Sequence, residues 1–257
     1  MIFDLNVTLG HYPFRSLRNN SPETLVALLA RSGIDRALVA SLSAVFYRDT
    51  QRGNEELFAA AKAFPRQLIP VATINPRYVG WERDLADSVK SGAKAVTLVP
   101  EHHGYTLSDV HGRAALERVA ELGLPLVLRQ RFEDRRQRHA WDRAEDLTQV
   151  ALLDAARAYP KLRFVLVNWI GLDGARLAEA GLRGRCLIDF ARLQVVYRKD
   201  VPKLIETMGV ESIAFGSHVP FDYVGASLVK LANVEMLRPA DYEAIAWRNA
   251  AQFLGLK

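Results

Sequence analysis

The feature that most constrains the fold of this sequence is a regular alternation of short apolar runs with segments of helical period. Eight runs have the length and composition of β-strands, and each is followed by an amphipathic stretch. The predicted strands are Ile2–Leu5, Arg36–Ala40, Leu68–Thr73, Ala95–Val99, Pro125–Leu128, Arg163–Val167, Cys186–Phe190 and Ser212–Phe215. Eight strand–helix units in 257 residues match a (β/α)8 barrel, whose typical length is about 250 residues. We therefore predict an α/β protein with one TIM-barrel domain covering residues 1–257.

Local signals support the helices of this barrel. Ser21 followed by Pro22 is typical of a helix start, and Gly33, Gly92 and Gly123 stand where helices should end. The predicted helices are Pro22–Arg31, Asn54–Ala63, Trp81–Ser91, Gly112–Leu122, Asp146–Tyr159, Gly174–Ala180, Lys199–Met208, Tyr223–Leu231 and a closing Pro239–Leu254. No internal repeat, linker or low-complexity tract interrupts the series.

Charge and hydropathy restrict the partners. The net charge is +5 with a pI near 9.4, which suits a small anionic substrate. No basic helix or aromatic-interleaved stripe dominates, so nucleic acid is not an expected partner. No apolar run reaches 18 residues, so we expect no membrane association. The oligomeric state is left open, and a homo-oligomer is one alternative.

The compartment and the redox chemistry follow from the N-terminus and one cysteine. Residues Met1 to Asp4 lack the charged and apolar regions of a signal peptide, so the expected location is cytoplasmic. Cys186 cannot form an internal disulfide and lies in a predicted buried strand, where an inert thiol is favoured over a nucleophile.

Barrel geometry should bring the carboxyl ends of all strands around one mouth, where polar side chains converge. The residues expected there are Asn6, Thr8, His11, Ser41, Thr73, Glu101, His102, Arg129, Asn168, Asp189, Arg192 and His218. Next to them lies an Arg-rich segment, residues 129–143, with six Arg and no apolar period. It is interpreted either as a lid over the mouth or as a solvated loop or subunit contact.

Four strand ends resemble those of amidohydrolase family 2, which includes relatives of aminocarboxymuconate-semialdehyde decarboxylase. They are residues 4–10 (DLNVTLG), 126–129 (LVLR), 165–168 (VLVN) and 215–221 (FGSHVPF), and residues 248–256 (RNAAQFLGL) are similar to a common ending of that family. The resemblance implies a TIM barrel that hydrolyses C–N or C–O bonds, or decarboxylates, with the help of a metal. The family carries its metal ligands, four His and an Asp, where this chain has Asn6, Thr8, Arg129, Asn168 and His218.

These replacements argue against the usual ion, so no metal or other cofactor is predicted. A guanidinium carries a fixed positive charge and no acceptor. It would repel a cation within about 4 Å by roughly 4 kcal/mol at an effective dielectric near 20. A relocated metal site using Glu101, His102 and His103 is kept as an alternative, although adjacent residues at a strand end should point in opposite directions.

The remaining chemistry is assigned to polar side chains. His218 is the candidate general base, because only His has an ordinary pKa near neutrality. Asn6 and Asn168 could orient a carbonyl or a water, and Arg129 with Arg15 could hold a carboxylate or phosphate. Thr8, His102 and Arg192 complete the predicted substrate-binding set. The competing interpretations make Arg129 a structural strut to Asp4, Asp189 or Glu101, and make His218 an orienting group for Asp222.

Three hypotheses for function remain open on the sequence. The first is a metal-independent hydrolase of amidohydrolase type acting on a small carboxylated lactone or amide. The second is a non-catalytic relative that binds a small anion or a protein partner. The third is a decarboxylase-like or relocated-metal enzyme.

Overall fold

One parallel sheet of eight strands, in the order β1 to β8, forms the centre of the computed structural model, which describes residues 1–256. The strands are β1 (Phe3–Leu9), β2 (Arg36–Ser41), β3 (Leu68–Ile74), β4 (Ala95–Leu98), β5 (Leu126–Arg129), β6 (Phe164–Val167), β7 (Cys186–Asp189) and β8 (Ile213–Ala214). Hydrogen bonds of 3.0 Å from Leu5 N to Phe215 O and from Thr8 N to Val219 O join the two ends of the sheet. The predicted (β/α)8 barrel is confirmed.

Helices follow the strands on the outside. They are α1 (Pro22–Arg31), α2 (Leu42–Phe46), α3 (Gln51–Ala63), α4 (Trp81–Lys90), α5 (Pro100–His103), α6 (Val110–Leu122), α7 (Gln149–Ala158), α8 (Gly174–Glu179), α9 (Asp200–Met208), α10 (Val224–Leu237) and α11 (Asn249–Phe253). The short helices α2 and α5 were not predicted. The predicted closing helix, residues 239–254, is instead a 3-10 turn (Pro239–Asp241), a π-helix (Ala244–Arg248) and α11.

A β-bulge in β1 decides which of its side chains face the barrel interior. The register with β2 shifts between Asp4 and Val7. Phe3 and Leu5 pack in the cluster that includes α11, whereas Val7 and Leu9 pack in the larger cluster that the helices share. A bulge re-aims the residues that follow it. Asn6 is thereby buried among the ends of β5, β6 and β7.

The predicted buried environment of Cys186 agrees with the structure. Cys186 is buried, and burial raises the pKa of its thiol, which removes the thiolate needed for reactivity. Among residues 1–256, no helix combines the length and the apolar character that crossing a bilayer requires.

Gly112 in α6 provides a direct test of the packing between helix and loop. A Cβ at this position would lie 2.1 Å from Thr106 O and 2.7 Å from Leu107 Cα, both backbone atoms that cannot rotate away. We expect Gly112→Ala to destabilise the protein by about 2 kcal/mol, a typical cost of overpacking. Gly225→Ala, where nothing lies within 4 Å of the added Cβ, is the control and should cost nothing. Urea denaturation of both variants measures this, and equal midpoints would contradict the close approach.

Candidate functional site

Four buried side chains at the carboxyl ends of the strands form one hydrogen-bonded cluster, here called the mouth network: Asn6, Arg129, Asn168 and Asp189. Arg129 Nη1 donates to Asn6 Oδ1 at 2.8 Å, and Asn6 Nδ2 donates to Asn168 Oδ1 at 2.7 Å. The second hydrogen of Asn6 Nδ2 goes to Asp189 Oδ2. Both hydrogens of the Asn6 amide are therefore used within the protein, so Asn6 fixes its neighbours more readily than it orients a substrate.

The two charges of the mouth network are linked through Asn6. Burial lowers the pKa of Arg129 to about 10, which leaves its guanidinium charged at neutral pH. Burial raises the pKa of Asp189 to about 6, although its Oδ1 accepts the Asn168 N–H at 3.2 Å. Arg129 also stacks over the Phe132 ring at 4.7 Å, which is a cation–π distance. Arg129 thus lies at the mouth, but its hydrogen bond goes to Asn6 and not directly to Asp4, Asp189 or Glu101, the strut partners that the sequence suggested.

Asp4 lies against the same network and carries a second buried carboxylate. Its Oδ1 accepts hydrogen bonds of 3.0 Å from the backbone N–H groups of Asn6 and Ser217. Its Oδ2 is buried and has no hydrogen-bond partner among the described residues. Burial raises the pKa of Asp4 from 3.8 to about 6. The charged form of this side chain therefore opposes folding at neutral pH.

Replacing Asp4 by asparagine should stabilise the protein at neutral pH. The amide oxygen keeps both backbone hydrogen bonds, and the buried charge is removed. Because the folded-state pKa is raised from 3.8 to about 6, the penalty is absent below the lower value and complete above the higher one. The expected gain is up to about 3 kcal/mol near pH 7.5 and close to zero near pH 4.

Denaturant titrations of Asp4→Asn at both pH values measure this gain. Asp109→Asn is the control, because hydrogen bonds from backbone N–H groups lower the pKa of Asp109 and give it no penalty to relieve. A gain that does not depend on pH would contradict the buried charge.

His218 follows β8 and lies beside the network, completely buried. Its Nδ1 is 3.0 Å from Asp222 Oδ2, and Arg192 is 3.2 Å from the same carboxylate oxygen. Because the pKa of Asp222 is lowered, the carboxylate is charged and accepts the proton that Nδ1 carries. Burial lowers the pKa of His218 to about 4, so the ring is neutral. Its Nε2 then carries a free lone pair, and no hydrogen-bond partner for it lies within residues 1–256.

An aromatic layer, here called the mouth cover, closes the space above the network. It consists of Tyr12, Phe46, Phe132 and Phe221, whose rings contact one another at centroid distances of 4.9 to 6.5 Å. Phe221 also stacks on His218 at 4.9 Å. In this conformation the mouth is closed, and a substrate reaches Arg129 and His218 only when the cover opens.

Glu133 fastens the mouth cover. This buried carboxylate accepts hydrogen bonds from Tyr12 Oη at 2.7 Å and from Arg15 Nε at 2.8 Å, and Arg15 Nη2 is 2.7 Å away. The bonds tie the loop after β1 to the loop after β5. Arg15, predicted to bind substrate, is thus paired with a protein carboxylate, and the sequence reasoning gave no role to Glu133.

The Arg-rich segment forms ion pairs with acidic residues of the same loop between β5 and α7. Arg131 and Arg138 contact Asp146 at 3.3 and 2.8 Å, and Arg135 contacts Glu145 at 2.9 Å. Its Phe132 is buried in the mouth cover. Phe132 thus covers the mouth as a lid would, whereas the ion pairs are those that a solvated loop or a subunit contact also forms, and both interpretations stay predictions.

The remaining residues predicted at the mouth lie at different distances from the mouth network. The Thr8 hydroxyl lies 3.5 Å from Val219 O in the barrel interior, and Arg192 borders the site through Asp222. His102 packs edge-on against two rings of the mouth cover, with its Nε2 3.5 Å from Asp142. His11 is exposed and does not line the mouth, contrary to the prediction.

Ser41, Thr73 and Glu101 are not part of the mouth network. Ser41 caps α2 by accepting the Ala44 N–H at 3.2 Å. Thr73 is buried and its hydroxyl has no partner among the described residues, and burial raises the pKa of Glu101 to about 7.

The residues present at the family's metal position do not fit a divalent ion. They supply amides, a hydroxyl, a guanidinium and one imidazole, and the Asn6 oxygen already accepts a hydrogen bond from Arg129. Within residues 1–256 no group of three or more His, Cys, Asp or Glu is placed to hold a metal.

The relocated metal site predicted from Glu101, His102 and His103 does not assemble either. His102 and His103 lie in α5 rather than on a strand end, and His103 Nε2 is 3.3 Å from Ala44 O.

A barrel of eight parallel strands with its polar network at their carboxyl ends defines the class of (β/α)8 TIM-barrel proteins. A family model described as Amidohydrolase matches residues 8–256. The chain belongs to the amidohydrolase family, as the strand ends predicted. No curated protein sequence matches it.

Solved structures of decarboxylases share the fold at low identity. The 5-carboxyvanillate decarboxylase of Sphingomonas paucimobilis matches with a TM-score of 0.77 and 13% identity, covering 100% of this chain and 99% of that one. A dihydroxybenzoic acid decarboxylase of Polaromonas, solved with manganese and 2-nitroresorcinol, matches with a TM-score of 0.75 and 16% identity, covering 99% and 96%. The 2,6-dihydroxybenzoate decarboxylase of Rhizobium gives 0.73 and 14%, covering 99% and 98%. At these identities the likeness concerns the fold.

Proposed function

We propose that the protein hydrolyses a small carboxylated lactone or amide without a divalent metal at the mouth. The observation that carries this proposal is that a charged guanidinium, on Arg129, and a neutral imidazole with an unpartnered Nε2, on His218, are both buried at the carboxyl ends of the strands. Burial is the main cause of the lowered pKa of His218, and the positive charge of Arg129 lowers it further. One group can stabilise negative charge and the other can accept a proton.

Arg129 would replace the Lewis acid of metal-dependent relatives. When water attacks a carbonyl carbon, the electron pair of the C=O bond moves onto the oxygen. Preorganised donors aimed at that oxygen in a site that excludes water stabilise the transition state. Arg129 uses only Nη1 in a hydrogen bond within residues 1–256, so further guanidinium N–H groups are free for a substrate oxygen.

His218 would take the proton of the attacking water on Nε2. When the tetrahedral intermediate collapses, the leaving alcohol or amine recovers that proton from Nε2, so the imidazole returns to its neutral form. Asp222 keeps the proton on Nδ1 and holds the ring at 3.0 Å. Arg192 lies 3.2 Å from the Asp222 carboxylate and so helps to keep it charged as the acceptor of the Nδ1 proton.

Decarboxylation is the second candidate, because the solved structures with the same fold include decarboxylases. In decarboxylation the negative charge leaves the carboxylate as CO2 forms. A guanidinium that grips this carboxylate stabilises the ground state more than the transition state, which slows the step. In hydrolysis the charge on the oxygen increases instead. Arg129 therefore favours hydrolysis over decarboxylation.

A substrate panel tests the proposal. The protein is dialysed against a chelator and incubated with carboxylated lactones, amides, β-keto acids and hydroxybenzoic acids. The carboxylic acid product of hydrolysis and the CO2 of decarboxylation are measured separately. We expect a carboxylic acid product to form from a lactone or an amide, at a rate that added manganese or zinc does not change. CO2 as the main product would support decarboxylation, and activity that requires added metal would contradict the role of Arg129. Saturable binding without turnover would favour the non-catalytic alternative.

A further inference from the structure

A groove on the barrel rim lies outside the mouth network. One wall is the loop after β1 together with α1, and the other is the loop after β8 together with the start of α10. Its volume is about 760 Å³, within the range of roughly 300–1,000 Å³ typical of small-molecule sites. We call it the rim groove.

Two arginines in the rim groove have no carboxylate partner in the described part of the chain. Arg18 is exposed and makes no hydrogen bond or ion pair with residues 1–256. Arg31 bonds only the neutral Asn19 Oδ1, at 3.5 Å. The third arginine of the lining, Arg15, is neutralised by Glu133 at 2.7 Å. The groove therefore carries two positive charges that the protein itself leaves without a counter-charge.

The acidic lining residue does not cancel this excess. Asp222 faces the groove, but its carboxylate lies 3.2 Å from Arg192 and 3.0 Å from His218 Nδ1. Aromatic rings complete the wall. Tyr223 is 90% exposed, and Phe221, whose ring stacks on His218, is also a lining residue. An exposed ring beside uncompensated cations suits an anion with a planar part.

We propose that the rim groove binds a small dianion, a phosphate ester or a dicarboxylate, through Arg18 and Arg31. A guanidinium matches the paired oxygens of a phosphate or a carboxylate in two hydrogen bonds, so two guanidiniums match a doubly charged ligand. This site lies outside the mouth network but shares Phe221 with the mouth cover, and its ligand takes no part in the reaction proposed at the mouth. Phe221 and Asp222 contact His218 from the groove side, so a bound ligand lies one layer of side chains from the mouth network.

Isothermal titration of the full chain at low salt tests the site, with inorganic pyrophosphate and isophthalate as the probes. We expect saturable binding of at least one probe, and the tighter of the two identifies the ligand as a phosphate ester or a dicarboxylate. In Arg18→Ala/Arg31→Ala the affinity should fall at least about tenfold, equivalent to roughly 1.4 kcal/mol. Absence of saturable binding to either probe would overturn the proposal.

Two control variants separate the rim groove from other causes. Arg52→Ala/Arg66→Ala removes the same charge from exposed positions outside the groove and should leave the affinity unchanged. An equal loss in this variant would assign the binding to net charge alone and refute the site. Arg129→Lys, which keeps the positive charge at the mouth but removes the guanidinium, should retain the binding. If it abolishes binding while the groove variant retains it, the anion sits in the mouth and the groove proposal is wrong.

Discussion

Replacing His218 by alanine is expected to lower kcat/KM about 10²- to 10⁴-fold on any substrate that the protein hydrolyses, the usual contribution of a positioned general base. The pH profile should identify the group more sharply than the loss itself. A base must be neutral to accept a proton, and burial lowers the pKa of His218 from 6.5 to about 4. The wild-type kcat/KM should therefore stay constant down to about pH 5 and fall only below it.

His103 provides the matched control for this prediction. Burial lowers its pKa to about 4 as well, but its Nε2 contacts Ala44 O outside the mouth network. His103→Ala should keep the wild-type activity and pH profile. Stopped assays across pH 4 to 8, restricted to conditions where the protein stays folded, measure both variants. An acid limb near pH 6.5 in the wild type, or full activity in His218→Ala, would remove His218 from the reaction.

The barrel could be predicted from the sequence because its signals are local and repeated. Strand length, helix period and the glycines at helix ends are each read within about ten residues, and eight repetitions leave few other architectures. The predicted α1 has the bounds of the observed helix. The short helices α2 and α5 were missed because they last only five and four residues, too few to show a period.

The arrangement of the mouth could be predicted only in part, because it depends on contacts between distant residues. Strand ends placed all four residues of the mouth network at one mouth, Asp189 included, and Asn6 hydrogen-bonds to the other three. Nothing local indicates that the bulge in β1 would turn Asn6 toward Asp189, 183 positions away. Glu133 was missed for the same reason, because its partners Tyr12 and Arg15 lie more than 110 positions away in the chain.

Arg129→Met is the variant expected to destabilise the fold most. The substitution removes the positive charge that stabilises the buried carboxylate of Asp189, and it leaves Asn6 Oδ1 without its hydrogen-bond donor. Breaking a direct buried ion pair typically costs about 3–5 kcal/mol. Here Asn6 lies between the two charges, and removing Arg129 also relieves the burial penalty that lowers its own pKa. We therefore expect a smaller loss near pH 8, up to about 3 kcal/mol, measured by urea denaturation.

The dependence of that loss on pH distinguishes the charge from the packing. The folded-state pKa of Asp189 is raised to about 6, chiefly by burial, while Arg129 holds it down. Without Arg129 it rises further, so the carboxylate penalty appears above about pH 6 and disappears as acid protonates the group. Near pH 5 only the unsatisfied Asn6 oxygen remains, and the loss should shrink to about 1 kcal/mol, the lower end of the cost of one unsatisfied buried acceptor. Arg163→Met is the control. Arg163 also lies over an aromatic ring, 5.2 Å from the Phe253 centroid, but its hydrogen bonds go to the uncharged backbone carbonyls of Phe253 and Gly123. The loss of stability in Arg163→Met should therefore not vary with pH. If Arg129→Met shows the same independence of pH, the guanidinium is packing rather than charge, and it cannot replace a metal ion in catalysis.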